Sequence, residues 1–187
     1  RPSDYPARGM QDYGYRYLAS SLPDGQCVIV AGKDSGIRTI ADLKGKRIVL
    51  PEQAAYMTKF CRAELRDQGI DLAKEKVQYV REQGAVTFYL ENKFADAGGV
   101  ASYSGVGKKW IKDGLPVVHR SRKQPYFPLI AGPSITDAQR KDIRTALAAL
   151  PQAPGGDVVL KTVGIDGFDL DTEARVSGLL TWLGTAP

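Results

Sequence analysis

The sequence predicts an α/β fold, and three observations carry that prediction. The hydrophobic period changes repeatedly between two residues and roughly 3.6, the spacings of strand and helix. Residues 47–101 alternate strand, helix, strand, helix, strand, as a parallel-sheet lobe with covering crossovers does. The 187 residues, 43% hydrophobic and 25% charged, have the composition of a globular chain. At roughly 100–150 residues per domain this length suits one large domain or two small lobes. No window approaches the ~20 apolar residues of a membrane-spanning helix.

Taken in order, residues 3–13 read as a helix, with Ser3 or Asp4 as N-cap and Pro6 in its first turn. Residues 15–19 and 26–31 read as strands, separated by a Pro23-Asp24-Gly25 turn. A loop at 33–36, a short helix at 39–43 and a turn at Gly45 lead into a strand at 47–50. Residues 53–68 form the clearest helix: Ala54, Met57, Phe60, Cys61 and Leu65 share an apolar face, Lys59, Arg62 and Arg66 lie opposite, and Gly69 closes it. A strand at 77–80, a helix at 84–93 and a strand at 95–101 follow, then a helix at 104–113 despite Gly105 and Gly107. Strands are expected at 116–121 and 126–131. Thr136 caps a helix over 137–150, a short helix lies near 158–163, and a last one spans 171–183.

Charge and side-chain chemistry exclude several function classes. The 26 Lys and Arg against 21 Asp and Glu give a net charge of +5. The basic residues fall in small groups, such as Lys108-Lys109-Lys112 and Arg120-Arg122-Lys123, with acids between them. A nucleic-acid binder concentrates its excess into a patch with interleaved aromatics, so no nucleic-acid partner is expected; a bias toward small anions fits better. The single histidine, His119, sits in a strand among valines and reads as a hydrogen-bonded residue rather than a base. There is no Gly-x-Ser-x-Gly elbow, so no enzyme activity is expected. One His and two distant Cys make no metal set, and no cofactor is implied. Ser104-Gly105-Val106-Gly107-Lys108-Lys109 lacks the spacing of a phosphate loop. For Cys27 and Cys61 the plainer reading is two buried thiols; a single disulfide is the other, in an oxidising compartment.

The segment Asp42-Leu43-Lys44-Gly45-Lys46-Arg47-Ile48-Val49-Leu50 carries a resemblance. It resembles the signature of bacterial extracytoplasmic solute-binding proteins of the type II periplasmic fold, most of all the phosphate-, phosphite- and phosphonate-binding branch. Asp96, the stretch from Val117 to Pro128 and the helix start at Thr136-Asp137 fit as well. The resemblance implies two α/β lobes joined by a hinge of two crossing strands, closing on a small-molecule ligand. It implies a first lobe at 1–33 and 125–187 and a second at 34–124. The first lobe is incomplete by this comparison, its opening strand and helix lying outside the chain, so a dimer through an open sheet edge is expected of such a fragment.

Helix N-termini would point N–H groups at an anion, so residues just after each strand are the candidate ligand contacts. These are Ser3, Tyr5, Gln53, Tyr56, Gln83, Ser102, Tyr103 and Ser104. Each also has a plain alternative: Ser3 and Ser104 are good N-caps, and Tyr56 can simply pack. The sequence departs from the phosphonate pattern after Leu50. A hydroxyl-rich run is replaced by Glu52-Gln53-Ala54-Ala55, and Gln83 lies where a histidine is expected. The implied function is the periplasmic or otherwise extracytoplasmic solute-binding component of an ABC-type uptake transporter, partnered by its membrane permease. The alternative is a ligand-sensing input domain of a membrane receptor with the same fold.

Overall fold

A computed structural model describes residues 2–184. In chain order the elements are α1 (Asp4–Asp12), β1 (Arg16–Gly25), β2 (Cys27–Ala31), β3 (Arg47–Pro51), α2 (Tyr56–Asp67), β4 (Lys76–Val80), α3 (Gln83–Glu91), β5 (Ala97–Ala101), α4 (Gly105–Lys112), β6 (Val117–Arg120), β7 (Gln124–Ala131), α5 (Asp137–Ala149), α6 (Gly156–Val163), β8 (Gly167–Asp169), α7 (Glu173–Ser177) and α8 (Leu179–Leu183). The α/β class is as the sequence predicts. The chain divides into two compact units, residues 1–24 with 124–187, and residues 25–123.

The second unit is a five-stranded sheet in the order β4-β3-β5-β2-β6. β3 runs parallel to β4 and β5, with Ile48 opposite both Val77 and Ala97. β2 is antiparallel to β5 and β6, with Val28 opposite Val100 and Arg120. Both faces are covered, as parallel strands require. Successive residues of β5 show how. A Cβ on Gly98 would meet Val86 and Val49, and one on Gly99 would meet the Cys61 sulfur and Leu50. α3 therefore lies over the Gly98 face and α2 over the Gly99 face. The α3 side holds the cluster of Val28, Val30, Val49, Val86, Leu90 and Trp110.

On the α2 side, Cys27 and Cys61 form a disulfide with their Cα atoms 5.4 Å apart. This corrects the reading of two free thiols. The covalent tie joins an inner strand to the helix above it.

The first unit is built on a three-stranded sheet, β7-β1-β8. β8 is antiparallel to β1, pairing Ser20–Asp169, Ser21–Phe168 and Leu22–Gly167. Tyr17, fully buried, donates its hydroxyl to the Asp169 carbonyl (2.9 Å) and lies 2.6 Å from the Thr172 Oγ1. Val176, Leu179, Leu180 and Leu183 are the buried apolar residues that α7 and α8 contribute to this unit. α5 has no buried residue. It is instead secured by Arg144, whose guanidinium donates to the carbonyls of Leu18 (2.7 Å) and Leu170 (3.1 Å). Thr136 caps α5 as expected, accepting from the Gln139 N–H.

Four expectations need correcting. Pro23-Asp24-Gly25 is no turn: β1 runs through it, and Asp24 is held by Arg175 at 2.8 Å. The residues at 25–33, assigned above to the first lobe, lie in the second unit, where β2 is an inner strand of the sheet. The predicted helix at 53–68 begins only at Tyr56, because residues 53–55 make a turn after β3. The predicted helix at 171–183 is two short ones parted at Gly178, a residue of low helix propensity, and β8 precedes them.

Candidate functional site

In sheets with parallel strands, ligands collect beyond the carboxyl ends of the strands, where crossover helices begin. In the second unit those ends are Pro51, Val80 and Ala101, each followed by a loop and the first turn of α2, α3 or α4. Each first turn leaves backbone N–H groups without intrahelical partners, and the helix dipole adds partial positive charge there. α2 and α3 have no side-chain cap on these groups, since Ala55 and Glu82 occupy their N-cap positions without capping bonds. α4 is capped by Ser104, whose Oγ accepts from the Gly107 N–H at 3.0 Å.

Four of the expected residues meet around the end of β5. Gln83, the first residue of α3, accepts the Ala101 N–H on its Oε1 at 2.7 Å. Its Nε2 has no hydrogen bond among the described residues, which leaves an amide donor at the strand end. Ser102 exchanges two bonds with Gln26: its Oγ accepts the Gln26 N–H, and its own N–H donates to the Gln26 carbonyl, both at 3.0 Å. Ser104 donates its hydroxyl to the Ala101 carbonyl at 2.8 Å while capping α4. Tyr103 lies half-buried between the two serines. α4 can start this close to β5 because Gly107 has no side chain; a Cβ there would lie 2.2 Å from the Ala101 carbonyl oxygen.

Gln53 is exposed in the loop after β3. Tyr56 is buried at the start of α2, its ring 5.7 Å from that of Phe60. In the first unit, Ser3 is fully buried and donates its hydroxyl to the Pro125 carbonyl at 2.8 Å. It makes no side-chain cap for α1. Tyr5, two residues on, is 58% exposed.

Gln26 and Ser121 escaped notice in the sequence. Gln26 donates its side-chain amide to the Ser121 carbonyl at 2.6 Å, and the Ser121 Oγ accepts the Cys27 N–H at 2.9 Å. Gln26 was findable as the one polar residue directly before a wholly apolar strand. His119 contacts the buried Glu64 carboxylate, with Nε2 and Oε1 2.8 Å apart. Among the described residues no group of three or more His, Cys, Asp and Glu is placed to hold a metal ion. No described helix is long and apolar enough to cross a membrane.

Comparison with known proteins adds the family. A model of the periplasmic substrate-binding protein of phosphonate ABC transporters matches residues 2–174. No curated protein matches the chain. Among solved structures, XAC2383 from Xanthomonas citri bound to ATP is similar with a TM-score of 0.76 and 16% identity, over 98% of this chain and 76% of that one. A binding protein component of an ABC phosphonate transporter, PA3383 from Pseudomonas aeruginosa, gives 0.67 and 14%, over 98% and 66%. The periplasmic aliphatic sulphonate binding protein SsuA from Escherichia coli gives 0.66 and 16%, over 98% and 60%. At these identities the likeness to the structures is one of fold.

Proposed function

Because the chain belongs to the family of periplasmic substrate-binding proteins of phosphonate ABC transporters, we propose that it captures a small organic oxyanion, a phosphonate or sulfonate, for delivery to a membrane permease. The type II periplasmic fold and an extracytoplasmic location come with the family. The Cys27–Cys61 disulfide suits an oxidising compartment.

The observation that carries the ligand class is the pair of uncapped helix starts after β3 and β4, with the free amide of Gln83 among them. Uncapped N–H groups at helix starts bind anions without needing a cationic side chain. Electrostatics narrows the choice. Glu52, Glu82 and Arg81 are exposed in the same loops, an excess of one negative charge, and Glu52-Gln53-Ala54-Ala55 brings no hydroxyl to the turn after β3. A second negative charge on the ligand is poorly served there, and a cationic substituent is well served. An aminoalkyl-phosphonate or -sulfonate answers both conditions.

The test is a thermal-shift and calorimetric series on the whole chain with phosphate, methylphosphonate, 2-aminoethylphosphonate, 2-aminoethanesulfonate and ethylamine. A ligand at 100 times its Kd adds about 2.7 kcal/mol of stability. The amino-substituted oxyanions are expected to give the largest rise in Tm, and Gln83→Ala is expected to diminish it. A series in which no oxyanion shifts Tm retires the reading.

A further inference from the structure

The second unit has a pocket at the opposite end of its sheet. It lies where Gly32 follows β2, where β3 starts at Arg47, where Asp96 precedes β5, and where α3 ends. Its volume is about 390 Å³, within the ~300–1,000 Å³ range of small-molecule sites. The floor is apolar and firmly packed: Leu90, Ala95 and Trp110 are each almost fully buried, and the Trp110 indole donates to the Pro116 carbonyl at 3.0 Å.

The rim carries three cations and three anions, and they do not all cancel. Arg47 holds Asp96 in a two-pronged pair, Nη2 to Oδ1 at 2.7 Å and Nε to Oδ2 at 3.1 Å. Lys93 pairs with Asp34 at 3.1 Å. Lys33 and Glu91 are left, both exposed, and neither makes an ion pair or side-chain hydrogen bond among the described residues. Lys109 is the other cation that bears on Glu91, and it is committed to Asp113. Glu91 also ends α3, where the helix dipole is negative and favours a cation.

We propose that this pocket is a second ligand site, separate from the one at the carboxyl ends of the strands, for a short unbranched zwitterion. The ammonium group of the ligand meets Glu91 and the α3 terminus, its carboxylate or other anionic end meets Lys33, and its methylenes lie on the apolar side of the pocket, where Leu115 is only half-buried. A ligand with one charge leaves the other rim group unanswered, so both ends are needed.

The probes are the ω-amino acids 4-aminobutanoate, 5-aminopentanoate and 6-aminohexanoate, titrated calorimetrically into the whole chain, with pentylamine and pentanoate as single-charge controls. At least one ω-amino acid is expected to bind saturably. Pentylamine and pentanoate are each expected to bind about 2- to 5-fold more weakly than the best ω-amino acid, and Lys33→Ala and Glu91→Gln are each expected to weaken that ω-amino acid by a similar factor. Both substituted side chains are exposed, so the fold is retained. Gln83→Ala separates the two sites: binding here persists in it, whereas binding at the strand ends suffers. The proposal is overturned by absence of saturable binding up to about 10 mM. It is equally overturned by binding that ignores Lys33→Ala and Glu91→Gln, or that is lost in Gln83→Ala.

Discussion

Gly98 and Gly99 decide how closely two helices can approach one strand. A Cβ on Gly99 would sit 2.7 Å from the Cys61 sulfur and 2.9 Å from Leu50. Neither atom has room to retreat in a core where Cys61 and Leu50 are fully buried. Gly99→Ala is expected to destabilise the chain by roughly 1–3 kcal/mol in urea unfolding, the usual penalty for overpacking. Gly105→Ala, with nothing within 4 Å of the added carbon, is the contrasting substitution and should stay within about 0.5 kcal/mol. At Asp96 the effect is electrostatic. Hydrogen bonds from the Arg47 side chain, outweighing the opposing effect of burial, hold its carboxyl below the usual carboxylate range. A lowered folded-state value means that the stabilisation is complete above the unfolded value of about 4 and is lost as pH falls through the folded one. Asp96→Asn should therefore be less stable than the parent at neutral pH, and the gap should narrow on acidification below about pH 4. A gap that stays constant with pH would assign the loss to packing instead.

At the scale of elements, the Cys27–Cys61 bond joins β2 to α2 across a sequence separation of 34. Closing a loop of that length removes entropy from the unfolded chain worth about 3–4 kcal/mol. Cys27→Ala with Cys61→Ala is expected to lower unfolding stability by that amount, read from urea midpoints, and reductant should act on the parent alone. The bond was not legible in the sequence, since pairing depends on a distance that spacing does not give. What was legible follows from length and periodicity. α2 announced itself through Met57, Phe60, Cys61 and Leu65, and β3 through an apolar run after Lys46-Arg47. β8 spans only Gly167–Asp169, too short for any period to register. Pro-Asp-Gly is ordinarily turn chemistry, which hides the end of β1 in the sequence; its tertiary partners, β7 and β8 on either side and Arg175 at Asp24, keep it extended. The candidate site was half legible. Strand-end positions picked out Gln83, Ser102 and Ser104, but only the folded chain shows that the hydroxyls of Ser102 and Ser104 already hold loop and helix in place.

The two units differ in how the chain makes them. The first is assembled from two separate stretches, whereas the second is one continuous segment from Gly25 to Lys123. That segment contains every strand of its sheet, both cysteines and the apolar cluster under α3. Its two ends are stitched to each other rather than left apart. The Gln26 side chain donates to the Ser121 carbonyl, the Ser121 Oγ accepts the Cys27 N–H, and the Ser121 N–H donates to the Cys27 carbonyl at 2.9 Å. Adjacent ends and an internal core are the features of a domain inserted within another, able to fold alone. Arg122 reinforces the exit, its N–H reaching Glu64 at 3.3 Å and its guanidinium lying 3.7 Å from the same carboxylate. The excised segment 25–123 is therefore expected to fold with the Cys27–Cys61 bond formed and to unfold in a single cooperative transition in urea. It should also keep the ω-amino acid pocket, every wall of which it supplies. A segment lacking secondary structure by circular dichroism would mean that the first unit supplies stability which the closed ends and the internal core of the second do not.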